Sequence, residues 1–265
     1  GNKRVPVLRA QSQIDQIESN AGAGSANDCR CAHRGNAAET VEQLRSAAAR
    51  MQPVAPMPTE LSDATRRLAD AAVHGVCIVH YLGDNHLRIG RQNTDWKIDG
   101  VHIEIRAFVY GMPFIAHLAT AYHATRDERY AEAAHDYLRE YMAAYPVDKV
   151  GEDDEIDSTL TLAGRVTTWA KSLSLLAECE LFDAAFLSSV VEHASAQLDF
   201  LQRHMKPVIN WRVFEARSLL TSALFLNFAE HGEQWKKQAV RVLNDAFHRQ
   251  VLADGVHCER VPTYH

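Results

Sequence analysis

The stretch Asp254-Gly255-Val256-His257-Cys258-Glu259-Arg260-Val261-Pro262-Thr263-Tyr264-His265 crowds titratable groups into a turn and an extended run. Such density outside a helix rarely serves packing alone. Tyr264, with an ordinary pKa of about 10, is protonated at neutral pH and suits a general acid. To act as a base it needs cations beside it, and His257, Arg260 and His265 are near in sequence. Asn210-Trp211-Arg212 with Glu215 follows Pro207 at the start of a predicted helix, so Asn210 is either a helix cap or an amide donor aimed at a ligand. Gly164-Arg165, with Trp169 one turn later, sets a cation and an aromatic near one helical face, where core packing by Trp169 and a surface Arg165 is the plainer reading. Glu215 and Glu259 could flank a glycosidic bond for hydrolysis.

The elements that must position these groups are helices. Leu61, Ala64, Leu68 and Ala71 open a series of apolar stripes at steps of three and four. Ile105, Phe108, Met112, Ile115, Ala119 and Tyr122 form the next, with Pro113 predicting a kink or restart. Tyr130 to Tyr141, Leu162 to Leu176, and Leu187 to Leu201 each give another stripe, and two last helices are predicted over 212–229 and 232–251. Val76 to Leu82 is an apolar run that suits either a strand or a helix end. The pattern predicts an all-α domain of antiparallel helix hairpins over 61–265, closing as a bundle, a solenoid or an α/α toroid. The Gly-, Ala- and Pro-broken residues 1–60 read as a loosely organised lead-in.

The 265 residues are 46% hydrophobic and 23% charged, enough to bury a large core. A net charge of −6 argues against a nucleic-acid surface, and an acidic polymer would need a local basic groove. No apolar run is long enough for a membrane span. Five scattered cysteines form no disulfide framework, and Cys29 and Cys31 with His33 lack the second ligand pair of a zinc site. The acidic run Gly151 to Asp157 lacks the spacing of a calcium loop and reads as a solvated loop. No metal or cofactor is expected in this chain. With no apolar signal core after the basic start, the compartment reads as cytoplasmic, or as periplasmic or secreted if a leader has been removed.

The run Gln250 to His257, then Glu259-Arg260 and Pro262-Thr263-Tyr264-His265, preceded by Asn210-Trp211, resembles the heparinase II/III and oligo-alginate lyase group. Asp95-Trp96, Ala121-Tyr122, Arg126 to Tyr130 and Gly164-Arg165 with Trp169 extend the likeness over about 95–265. Val261 stands where that group usually has serine, and Trp211 where several members have histidine. The resemblance implies an incomplete α/α toroid, with the group's following β-sandwich and any metal site in it absent from this chain. It implies cleavage of an acidic polysaccharide by β-elimination, with Tyr264 and Asn210 catalytic. Arg165, Trp169, Trp211, Arg212, Glu215, His257, Glu259, Arg260 and His265 are then candidate substrate-binding residues. Two rivals remain: an α/α toroid glycoside hydrolase, and a glycan-binding or scaffold domain without turnover. Oligomeric state is not legible.

Overall fold

The computed structural model describes residues 37–51, 60–80, 83–207 and 209–250, all within the compact unit Cys31–His265. The elements are helices α1 (Ala37–Met51) and α2 (Asp63–Val73), strands β1 (Val76–His80) and β2 (Asp84–Arg88), then helices α3 (Ile103–Tyr110), α4 (Pro113–Thr125) and α5 (Glu128–Ala144). After a 3-10 turn at Val147–Lys149 come α6 (Thr159–Leu176), α7 (Ala184–His204), α8 (Ile209–Phe225) and α9 (Gly232–Gln250). The described fold is thus all-α but for one antiparallel hairpin, in which Val76 faces Arg88 and His80 faces Asp84. The apolar run at 76–82 therefore resolves toward strand.

Short polar side chains start several of these helices by satisfying backbone donors that have no partner in the first turn. Ser62 accepts from Thr65 N, Ser158 from Thr161 N and Asp183 from Phe186 N. In the row α2, α4, α6, α8 each helix packs on the next, while α5, α7 and α9 back α4, α6 and α8. Helix α1, from the stretch read as a lead-in, lies against α6, α7 and α8 with Leu44 fully buried.

Most stripes bury as their spacing requires. Tyr130, Tyr137, Leu162, Val166, Trp169, Leu187, Leu198 and Trp235 are all at 0% exposure. Phe108 departs from its stripe and is 47% exposed. Helix α3 stops at Tyr110, Met112 turns left-handed (φ 52°), and Pro113 begins α4, so the register before the break does not continue after it. At the other side of the layer, Gly75 (φ 76°) lies so close to Gly90 that an added Cβ would meet its carbonyl carbon at 2.9 Å. The Tyr137 hydroxyl shares its one hydrogen between Ala72 O (2.8 Å) and Gly90 O (3.0 Å), tying α5 to α2 and to the residue pair after β2.

Candidate active site

Asn210, Trp211 and Arg212 share the first turn of α8. Trp211 is 41% exposed, and Asn210 and Arg212 are half-buried, so all three reach solvent. The Asn210 Oδ1 accepts from the adjacent Trp211 N at 2.9 Å. That is a helix-start contact, and it leaves the amide N–H groups of Asn210 as the chemistry of interest. A donor of this kind, fixed against a carboxylate, stabilises charge that develops there.

One turn further on, Glu215 is fully buried. One carboxylate oxygen accepts from the Thr159 hydroxyl in the first turn of α6, and the other accepts from Lys206 N at 2.8 Å. Burial raises its pKa above the ordinary value, while the Thr159 and Lys206 hydrogen bonds and the nearby Lys206 and Arg212 charges pull it back. With no exposed surface and both oxygens engaged internally, Glu215 is not placed to touch a substrate.

The same correction holds for Arg165 and Trp169, both at 0% exposure. The Arg165 guanidinium donates to Gln197 Oε1 (2.7 Å), Tyr110 O (3.1 Å), Ile156 O (3.0 Å) and Asp157 Oδ1 (3.0 Å), and lies over the Tyr141 ring at 4.7 Å. Its planar fork thereby joins the end of α3, the segment before α6, and α7. Trp169 packs edge-on to Tyr141 with ring centroids 5.5 Å apart, and its indole N–H has no acceptor among the described residues. Placing these two side chains on a cleft wall required knowing which helical face is covered, and spacing alone does not show that.

The acidic run before α6 is also more than a solvated loop. Asp157 is 7% exposed and accepts from Gly151 N at 2.8 Å besides holding Arg165. Deeper in, His193 bridges Gln197 (Nδ1, 2.7 Å) and Tyr145 O (Nε2, 2.6 Å). Because the Gln197 amide donates to Nδ1, the proton sits on Nε2 and points at the carbonyl. Burial lowers the His193 pKa, as does the neighbouring Arg165 charge, against the Tyr145 hydrogen bond. Asp157, Gln197 and His193 surround the Arg165 guanidinium; Asp157 lies in the acidic turn before α6, and for Gln197 and His193 only their polar character at buried helical positions could have drawn notice.

Tyr264, His257, Glu259, Arg260 and His265 lie outside the described residues, as do Cys29, Cys31 and His33. Among the described residues no group of three or more His, Cys, Asp or Glu side chains could hold a metal ion, and no helix is long and apolar enough to cross a membrane.

The model of the Heparinase II/III N-terminus family matches residues 26–265. The chain belongs to the heparinase II/III family. Within that family it is 28% identical over 208 residues to a heparin-sulfate lyase of Pedobacter heparinus, a match covering 76% of this chain and 30% of that one. Among solved structures, a heparan sulfate lyase HepC mutant from the same organism superposes with a TM-score of 0.75 at 24% identity, over 86% of this chain and 37% of the other. A heparinase III structure gives 0.72 at 17% identity, over 87% and 39%. At these identities the structures show a shared fold. The heparinase II/III chain described here spans about a third of the length of these relatives.

Proposed function

We propose that the protein carrying this chain cleaves a uronate-containing acidic polysaccharide of the glycosaminoglycan class by β-elimination. Family membership and the heparin-sulfate lyase relative support the reaction and the polymer class. The pairing of an inner row α4, α6, α8 with backing helices α5, α7, α9 is the layering expected of part of an α/α toroid.

In this reaction the C5 proton leaves, its electron pair forms the C4–C5 double bond, the C4–O4 bond breaks, and O4 takes up a proton. Negative charge grows on the C6 carboxylate as C5 is deprotonated. Asn210 donates to that carboxylate and stabilises the enolate-like state more than the ground state. Tyr264 serves as the general acid for O4 and, where cations lower its pKa, as the base at C5. Trp211 and Arg212 offer a stacking surface and a cation beside Asn210.

The observation that carries this reading is the partition at α8: Asn210, Trp211 and Arg212 reach solvent, while Glu215 is enclosed. The enclosure also removes one of the two carboxylates that the hydrolase reading needs. The test is turnover of acidic polymers, followed by the absorbance of the unsaturated product. Tyr264→Phe is expected to abolish turnover with polymer binding kept, and Asn210→Ala to lower kcat about 100- to 1000-fold. Hydrolytic products without that absorbance, or binding with no turnover in the parent protein, would sink the lyase reading.

A further inference from the structure

Glu215 is a fully buried carboxylate whose oxygens take hydrogen bonds from two separate segments, Thr159 in the first turn of α6 and the backbone at Lys206. An acid with no exposed surface has no direct part in substrate chemistry, yet it is five positions from Asn210 on the same helix. We infer that Glu215 is a positioning residue for Asn210: its carboxylate ties the start of α8 to the start of α6 and to Lys206, and so fixes where the Asn210 amide stands. This rests on the reading of Asn210 as the donor to the substrate carboxylate.

Three features support it. The anchor is stiff, because Ser158 caps α6 through Thr161 N and Asp157 is held by Arg165, which also grips Tyr110 O, Ile156 O and Gln197. The tie falls where it is needed, since Lys206 lies two residues past the end of α7 and Asn210 is the second residue of α8. The contact that Asn210 makes with Trp211 N is local, so it sets the side chain relative to its own helix and not relative to α6. Packing of α8 on α6 places the helix as a whole, and the Glu215 carboxylate adds a directional hydrogen-bonded tie near its start. A shift of about 1 Å at a catalytic group can cost about 100-fold in rate.

The variants are Glu215→Gln, Glu215→Leu, Thr159→Val and Thr159→Ser in the full protein, with Asn210→Ala alongside. Each is read by kcat and KM on an acidic polymer, and by backbone amide exchange at Lys206 and residues 209–215. Glu215→Gln keeps both hydrogen bonds, the amide oxygen accepting from Lys206 N and the amide nitrogen donating to the Thr159 oxygen, so kcat stays within about threefold and exchange stays slow. Glu215→Leu removes both, so kcat falls about 100-fold at nearly constant KM and exchange quickens. Thr159→Val lies between the two, and Thr159→Ser restores the parent values. Should Glu215→Leu fail to fold, the Thr159 pair decides the matter.

The inference is overturned if Glu215→Leu quickens exchange with kcat unchanged. It is equally overturned if Glu215→Gln loses as much activity as Asn210→Ala while exchange stays slow, since the charge itself would then be acting. If Asn210→Ala leaves kcat intact, the donor reading fails instead, and the exchange data still report whether Glu215 holds the segment.

Discussion

Two arginine–carboxylate pairs of nearly equal length sit in opposite surroundings. Arg165 meets Asp157 at 3.0 Å with side-chain exposures of 0% and 6%, beneath the start of α6. Arg126, at the turn between α4 and α5, meets Glu178, just past the end of α6, at 2.9 Å with exposures of 50% and 55%. Water solvates both partners of the outer pair whether or not they touch, so their contact adds little. The inner pair has lost its water, and every donor must find a protein acceptor. Arg165 finds four, from residues 110, 156, 157 and 197. The same chemistry is decoration at one place and a joint between four segments at the other.

The comparison breaks most sharply with Arg165→Met. Deleting the cation strands Asp157 in the interior, and unfolding by urea is expected to show a loss of about 3–5 kcal/mol. An acid titration of stability gives the next effect. The folded-state pKa of His193 is depressed, so the folded protein binds its proton less readily than the unfolded chain does. That contribution is complete above the ordinary histidine value of 6.5 and is lost as pH falls below it. Protonation also turns Nδ1 into a donor facing the Gln197 amide. The expected slope is positive and stays below about 1.4 kcal/mol per pH unit, the limit for one proton, and His193→Gln flattens it. A slope unchanged in that variant would show that other groups govern the acid limb. The smallest effect is expected from Glu178→Gln on the outer pair, less than about 1 kcal/mol by the same urea measurement. A loss there equal to that of Arg165→Met would erase the distinction between the two pairs.

The layers of the fold were readable because a buried helical face repeats its residue type every three or four positions, and Leu162, Val166, Trp169 and Leu173 do so without interruption. Pro113 announced a restart, but the left-handed Met112 beside it carries no sequence mark, and the stripe extended through Phe108 was wrong for that reason. The site was legible only where it is local. Asn210 after Pro207 reads as a helix start, and it lies in the first turn, though as the second helical residue and not as the cap. Arg165 and Glu215 look like surface chemistry in sequence, because their partners are brought in by packing from segments far along the chain. Tyr264 stands in the motif with Asn210 but outside the described residues, so its role rests on that resemblance.

The Tyr137 hydroxyl has a consequence for the order of assembly. The strands of the hairpin are neighbours in sequence and can zip together through local pairing. Their seat is incomplete at that moment, because the phenol that holds Gly90 and Ala72 comes from 47 and 65 residues further along the chain. Docking of α5 therefore adds a late hold to a hairpin that already rests on α2, and closure of those long loops sets when that hold forms.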